Sequence, residues 1–213
     1  MGSQVFAPHY PAVHRWPVAV SYGWLELSPY RRCDVDQVAR LREHNASWLR
    51  PWDATPPNLG VMPRSISPAR QIWRQARQGN NLPWLIRWHE SGRSVVIGQC
   101  TVSNLVYGSV RSASIGYWID AAYAGRSITP AAVGLAIDYC LATVKLHRIE
   151  ICIRPENHPS LRVVAKLGLR HEGFRPQFIH IAGDWRDHEV FVVTPPEAPH
   201  GVLERVDPAV VGL

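Results

Sequence analysis

The chain has 213 residues, of which 46% are hydrophobic, and it carries a formal net charge of +6. This length and apolar content favour one folded α/β domain and exclude a disordered chain. No stretch approaches ~20 uninterrupted apolar residues, and the N-terminus lacks the apolar block of a signal peptide. We therefore expect a soluble, cytoplasmic protein that does not contact a membrane.

The positive charge comes mostly from arginines that are spread along the sequence. No basic run reaches the ~5 residues of a nucleic-acid tract, and neither a helix-turn-helix nor an RNA-binding signature is present. The four cysteines, Cys33, Cys100, Cys140 and Cys152, lack the spacing of zinc ligands. We predict general electrostatic attraction to anions, no direct nucleic-acid binding motif, no metal site, and buried free thiols.

The first part of the chain reads as a strand and two helices separated by a loop. A strand is expected near residues 24–27, followed by a helix at 34–48 with Asp34 as its N-cap. The proline-rich stretch 51–60 is long enough to form one wall of a pocket. A second helix is predicted from Ser67 to Gln78.

Three β segments follow at residues 83–90, 94–108 and 113–120, with Gly92 in the first hairpin. A last hairpin is predicted from strands at 177–181 and 188–193. The proline-rich end after Thr194 is expected to be a loose tail.

Residues 116–130 combine the end of a strand, a turn of mostly small side chains and the start of an apolar helix. Backbone N–H groups at a helix N-terminus are unsatisfied, and the helix dipole favours negative charge there. Pro130 suits the first helical turn. The segment therefore has the pattern of a phosphate-binding nest, although an ordinary strand-to-helix turn has the same composition.

A second strand-to-helix unit lies thirty residues downstream. Alternating isoleucines at 149, 151 and 153 predict a strand, and residues 155–159 interrupt it. Asn157 or Ser160 can cap the helix that follows, which is expected to end at Gly168.

The order of these two units resembles the acyl-CoA-binding half of the GNAT acetyltransferases. The resemblance implies an α/β (α+β) GNAT fold: a mixed, mostly antiparallel sheet of about seven strands, splayed at the fourth and fifth, with about four helices. It also implies that acetyl-CoA is the cosubstrate. In this family the nest follows Gln/Arg-x-x-Gly-x-Gly/Ala, whereas this chain has Ala124, Ser127 and Thr129 at the three signature positions.

Because Ser127 replaces a glycine, either its φ is negative or some strain is tolerated. We expect the pyrophosphate to be held by backbone geometry and by Arg126. The family pattern also assigns Asn157 to the pantetheine arm, although a turn role is the alternative. The cofactor-binding residues implied by the resemblance are Trp118, Ile119, Gly125, Arg126, Ser127, Ile128, Thr129, Asn157 and Ser160.

Residues 45–53 and 183–188 further resemble conserved segments of the RimJ/RimL branch, the ribosomal-protein N-terminal acetyltransferases. The resemblance covers roughly residues 20–194 of one acetyltransferase domain at 1–213, and leaves tails at 1–19 and 195–213. It implies an N-terminal α-amine as acceptor.

The resemblance makes Ser160 the candidate general acid, because the tyrosine used by many GNAT enzymes aligns with Val164. A plain helix cap is the alternative role for Ser160. Trp52, Asp53 and Tyr117 are the candidate substrate-binding residues, and Trp52 either stacks as a pocket wall or simply packs.

The general base is left open. The glutamate proposed for the RimL-type enzyme aligns with Ile179, which cannot serve, and the adjacent His180 faces the other side of its strand. The remaining candidates are Asp53, Glu150, His188 and a water relay, with Asp53 favoured for binding the ammonium group.

Two classes of function are consistent with this sequence. The first is an acetyltransferase acting on a protein N-terminus, ribosomal or other, or on a small amine such as an amino sugar, polyamine or amino acid. The second is a catalytically weak acyl-CoA-binding module, which the altered nest and the missing glutamate suggest. A monomer or a homodimer is expected.

Overall fold

The computed structural model describes residues 16–57 and 68–213. Its eight strands form one sheet in the order β1-β2-β3-β4-β5-β6-β8-β7. The strands are β1 (Val20–Tyr22), β2 (Leu25–Pro29), β3 (Leu82–Glu90), β4 (Arg93–Val106), β5 (Ser112–Ile119), β6 (Arg148–Ile153), β7 (Arg170–Ile181) and β8 (Asp184–Val193). The helices in these ranges are α1 (Val35–His44), α2 (Ala46–Leu49), α3 (Pro68–Arg77), α4 (Ile128–Ala142) and α5 (His158–Lys166). The predicted mixed, mostly antiparallel sheet is confirmed, with eight strands where about seven were expected and five α-helices in the described residues where about four were expected.

The only parallel pair among these strands is β5 with β6, and it is short. Pairing covers Ser112 to Ser114 against Arg148 to Glu150, although β5 continues to Ile119 and β6 to Ile153. Beyond Ser114 the two strands diverge, so the backbone edge of β5 that faces β6 is left without a strand partner. The expected splay therefore lies between these two strands.

Helix α4 forms the centre of the core. Most of its residues are buried, and it shares one hydrophobic cluster with α5 and the sheet residues Trp84 and Ile86. Leu85 points to the opposite face of the sheet, where it packs with Val38 of α1. The sheet is thus covered on both faces, which fixes the positions of β5 and β6 relative to the helices.

The predicted first helix is interrupted at Asn45. The Asn45 side-chain amide donates to the Leu41 carbonyl at 2.9 Å, and its Oδ1 accepts the Ala121 N–H at 2.9 Å. Asp34 precedes α1 but makes no side-chain cap bond, because it is buried and binds Arg87 at 2.7 Å. Asn45 therefore ties the first helices to the end of β5.

The expectation of a loose C-terminal tail is wrong. Residues 195–213 form three short 3-10 turns, and Val202 and Val211 are fully buried against the core. Asp138 of α4 accepts the N–H groups of Val202 at 2.7 Å and Leu203 at 3.0 Å. The segment therefore covers α4.

The predicted N-terminal tail also packs in part. Trp16 lies against Trp84 with ring centroids 6.1 Å apart, and the Trp84 indole donates to the Val18 carbonyl at 2.8 Å. The rest of that tail, residues 1–15, lies outside the described residues.

Two further expectations are corrected. The last hairpin is longer than predicted, because β7 begins at Arg170 and not at Gln177. Of the four thiols, Cys100 and Cys140 are buried, whereas Cys33 is exposed and Cys152 is partly exposed. Within the described residues no helix is long and apolar enough to cross a membrane.

Candidate active site

A cavity of about 740 Å³ lies where β5 and β6 diverge. Loop 51–57 forms one wall of this cavity, because the Thr55 N–H donates to the His180 carbonyl at 2.9 Å and so holds the loop on β7. Ten of the sequence-predicted site residues line the cavity: Trp52, Asp53, Tyr117, Trp118, Ile119, Gly125, Ser127, Thr129, Asn157 and Ser160. Arg126 and Ile128 do not.

The open edge of β5 forms the floor of the cavity, and Gly116 leaves space there, since a Cβ at this position would meet nothing within 4 Å. At the end of the strand the backbone is already engaged. The Ile119 carbonyl accepts the Trp48 indole N–H at 3.1 Å, and the Asp120 N–H donates to the Ile97 carbonyl at 2.7 Å. The Asp120 N–H is therefore already engaged and is not available to a ligand carbonyl.

The predicted nest has left-handed backbone at two positions, with φ of +79° at Gly125 and +61° at Ser127. The serine is therefore held in a conformation that usually favours glycine, and the option of tolerated strain is the one observed. The Ser127 hydroxyl does not cap α4. It accepts a hydrogen bond from the Lys166 ammonium at 2.6 Å.

The positive charge beside the nest comes from α5. Lys166 and Arg162 both line the cavity, whereas the Arg126 guanidinium lies over the Tyr123 ring at 5.2 Å. The expected contact between Arg126 and a phosphate thus has no support in this arrangement. Sequence reasoning missed Lys166 and Arg162, although their i, i+4 spacing puts them on one face of the helix.

At the start of α5, the structure shows which residue caps the helix, a role that the sequence left open between Asn157 and Ser160. Asn157 is the N-cap, because its Oδ1 accepts the Ser160 N–H at 3.2 Å. The Ser160 hydroxyl is therefore not needed as a cap, and it lies 2.7 Å from the Tyr117 hydroxyl.

Burial raises the pKa of Tyr117 well above its ordinary value, although the hydrogen bond to Ser160 partly opposes this shift. The phenol therefore stays protonated at neutral pH and can act as a donor. Val164, at the position of the tyrosine used by other family members, is buried and has no proton to give.

The candidate general bases differ in whether they line the cavity and in whether they are already bound by arginines. Glu150 does not line the cavity and is bound by Arg175 at 2.6 Å and Arg148 at 3.1 Å. Burial raises its pKa, but these bonds outweigh that effect, and the net pKa lies below the ordinary value. Asp53 reaches the cavity and is paired with Arg42 at 2.6 Å.

His188 lines the cavity and is 3% exposed. Its Nδ1 lies 2.9 Å from the Arg186 carbonyl oxygen. Because a carbonyl can only accept a hydrogen bond, Nδ1 carries the ring proton, and Nε2 has the lone pair that can accept another proton. Burial lowers the pKa of His188, which the bond to Arg186 only partly offsets. The ring is therefore neutral at pH 7.

An irregular stretch of β7 supports this histidine. Arg175 pairs with His188 and Ile179 with Arg186, so β7 advances four residues where β8 advances two. The extra residues bring the Phe178 ring edge-on to His188, with centroids 5.9 Å apart. Ile179, which aligns with the glutamate proposed as base in the RimL-type enzyme, lines the cavity as an apolar wall.

Residues 25–170 match the acetyltransferase (GNAT) domain family. The chain belongs to this family. The GNAT chain is 28% identical to the [ribosomal protein uS5]-alanine N-acetyltransferase of Escherichia coli, over 77% of this chain and 84% of that enzyme. It is 37% identical to a probable N-acetyltransferase of Bacillus subtilis, YjcK, where the match spans 48% of this chain and 56% of that protein.

A solved structure, Mycobacterium smegmatis RimJ in complex with CoA-disulfide, superposes with a TM-score of 0.78 at 31% identity. The match covers 92% of this chain and 95% of RimJ. The GNAT chain is therefore an N-acetyltransferase of the RimJ type that uses acetyl-CoA as cosubstrate.

The residues of the cavity fit this cosubstrate. The unpaired edge of β5 can hydrogen-bond an amide-containing arm as an added strand would. At its other end the helix N-terminus after Ser127, together with Lys166 and Arg162, offers N–H groups and positive charge to phosphates.

Proposed function

We propose that this enzyme acetylates the α-amine of a protein N-terminus, by direct attack of the amine on the thioester of bound acetyl-CoA. The observation that carries the proposal is the shared cavity, in which the paired hydroxyls of Ser160 and Tyr117 and the neutral imidazole of His188 are all lining groups. We also propose that residues 1–213 form one acetyltransferase domain.

In this proposal His188 is the general base. Its Nε2 accepts a proton from the acceptor ammonium, which leaves the neutral amine needed for attack. Arg186 holds the other ring nitrogen, so the tautomer is set before the acceptor binds. Asp53 keeps a supporting role at the cavity wall, because Arg42 already neutralises much of its charge.

Ser160 is the proposed general acid. The thiolate that leaves when the thioester bond breaks takes the hydroxyl proton of Ser160, and the proton that the acylated nitrogen then loses restores the serine hydroxyl. The Tyr117 hydroxyl can donate to the Ser160 oxygen, which directs the serine proton away from Tyr117 and compensates the charge left on the serine oxygen.

The charges of the cavity favour an acceptor with one ammonium group. Asp53 is the only carboxylate among the described lining residues, while Arg42, Arg154, Arg162 and Lys166 contribute positive charge. A polyamine would bring several ammonium groups to this surface with little compensation. A peptide N-terminus has one ammonium and a row of carbonyls that Arg42 and Arg154 can bind.

The choice of a protein acceptor is supported by the Escherichia coli relative, which is an alanine N-acetyltransferase of ribosomal protein uS5. We propose acetyl-CoA and such a protein N-terminus as the partners of this enzyme. Cytoplasmic location and a monomeric or homodimeric state stay predictions.

The test is release of free thiol from acetyl-CoA with a set of acceptors. We expect turnover with peptides that begin with Ala or Ser and none with the same peptides blocked at the N-terminus. Mass spectrometry should place the acetyl group on the α-amine. Turnover with spermidine or an amino sugar but not with peptides would instead support a small-amine enzyme, and CoA binding without turnover on any acceptor would support a binding module.

A further inference from the structure

A second concavity lies against another face of α3, and Tyr30 is the one described residue that lines both it and the proposed active site. Ala69 and Ile72 of α3 face the acetyl-CoA cavity, whereas other residues of the same helix line this second groove of about 710 Å³. We call it the arginine groove after its five lining arginines, Arg31, Arg32, Arg70, Arg74 and Arg77.

Among the described residues, every charged side chain that lines the arginine groove is positive. None of the described residues lining the arginine groove is an Asp or Glu. The segments 1–15 and 58–67, which flank this region in the sequence, contain neither residue type. Arg31, Arg32, Arg74 and Arg77 form no ion pair with any described residue, whereas Arg42 and Arg87 are paired. A concave surface of one sign concentrates its field and attracts a polyanion.

The groove is assembled from two distant parts of the sequence. Arg31 and Arg32 follow β2, and the other three arginines lie at i, i+4 and i+7 on one face of α3. Along the helix axis these three span about 10 Å at 1.5 Å per residue. Because neither segment is a basic run, the sequence contains no nucleic-acid signature at this place.

Aromatic rings lie between the arginines. Trp16 and Trp73 both line the groove, and the Arg32 guanidinium lies over the Trp73 ring at 5.7 Å. The Trp73 indole is fixed by a hydrogen bond to the Tyr30 carbonyl at 2.8 Å. Guanidinium planes and indole rings are the groups on which unpaired bases stack, while the charges follow the phosphates.

We propose that the arginine groove binds a single-stranded polynucleotide through its phosphates, with bases stacked on the Arg32–Trp73 pair. An acidic polypeptide could pair its carboxylates with the arginines, but it has no bases to stack on the aromatic rings. This site is separate from acetyl transfer, so it does not depend on the identity of the acceptor amine.

The test is fluorescence anisotropy of a labelled oligouridylate of about 20 nucleotides with the full-length protein. Arg74→Glu/Arg77→Glu should weaken binding at least about tenfold. The matched control, Arg40→Glu/Arg93→Glu, makes the same charge change at exposed arginines outside the groove and should weaken binding by less than about threefold. Wild-type affinity should also fall steeply between about 50 and 200 mM salt.

Circular dichroism and thiol release with a short peptide acceptor check that the groove variant still folds and works. Trp73→Leu should weaken binding with the charge kept, because it removes the ring under Arg32. The proposal is overturned by equal losses in the groove and control variants, by absence of binding, or by a polyglutamate of equal charge competing as well as the RNA.

Discussion

At the scale of single residues, the contact between Ser160 and Tyr117 is the feature that most changes the interpretation of the sequence. From the sequence, Tyr117 was a candidate for binding the acceptor substrate, and Ser160 was either the N-cap of a helix or the general acid. In the structure Asn157 caps α5, and the two hydroxyls lie 2.7 Å apart. We propose that Tyr117 acts with the leaving group and not with the acceptor.

Ser160→Ala should lower kcat at least about tenfold with little change in the KM for acetyl-CoA, because general acids contribute ~10²–10⁴ in rate. Tyr117→Phe should lower kcat by a smaller factor, since it removes only the supporting donor. Steady-state thiol release measures both. Ser94→Ala, at an exposed strand position, is the control, and a Ser160→Ala enzyme with wild-type kcat would remove the serine from the mechanism.

His188 makes a prediction about pH. Because burial lowers its pKa, the wild-type kcat/KM should fall on the acid side with a midpoint below about 6.5, the ordinary histidine value. His188→Gln should remove this acid limb and lower kcat/KM at pH 7 by about 10²-fold.

The control for this prediction is His171→Gln, at an exposed position of β7 paired with Glu189, which should keep the limb. The free energy of unfolding should fall in the same direction. Because His188 is buried in its neutral form, the protein loses stability as the pH falls below the pKa that this histidine has in the unfolded chain. Circular dichroism at each pH therefore has to accompany the rates. An acid limb that survives in His188→Gln would exclude this base.

At the scale of elements, the C-terminal segment contributes to the stability of α4. Asp138 is buried, and both of its carboxylate oxygens accept N–H groups from that segment. Burial raises the pKa of Asp138, and the two hydrogen bonds oppose the shift. The same contact leaves no space at Gly201, where a Cβ would lie 2.4 Å from Asp138 Oδ2.

Asp138→Ala should lower the free energy of unfolding by about 3 kcal/mol, because it leaves two buried N–H groups without acceptors. Asp207→Ala is the matched control, since Asp207 caps the last turn of the same segment through an exposed hydrogen bond of 3.0 Å, and its loss should cost about 1 kcal/mol. Urea unfolding measures both values. Equal losses in the two variants would show that burial of Asp138 is not the cause.

Some elements could be predicted from sequence and others could not. Alternating isoleucines predict β6, and the dense apolar sequence after Pro130 predicts α4, because both signals are local in the sequence. The break at Asn45 was not predictable, since it depends on a hydrogen bond to Ala121, 76 positions away. The packing of residues 202–211 was not predictable for the same reason. A proline-rich segment is typical of a loose tail, and its hydrogen bonds to Asp138 of α4 depend on tertiary structure.

At the scale of the whole molecule, divergence of β5 and β6 brings together groups that are distant in the sequence. The nest, the start of α5, the loop at Trp52 and the β7–β8 hairpin meet at the gap between those strands. Of the residues that the resemblance predicted here, Ser160, Gly125, Ser127 and Thr129 line the cavity, whereas Arg126 and Ile128 do not. The resemblance did not reveal Lys166 beside Ser127, or the arginine groove, because those depend on tertiary contacts without a family motif.

We propose that the sulfur of the bound cosubstrate lies at Ser160 and that its phosphates lie at the nest. A crystal structure with bound CoA tests this most directly. This placement predicts the thiol in hydrogen-bonding contact with Ser160 Oγ, the pantetheine along the free edge of β5, and the pyrophosphate beside Ser127 and Lys166. A thiol placed away from Ser160, or CoA bound outside the gap between β5 and β6, would contradict it.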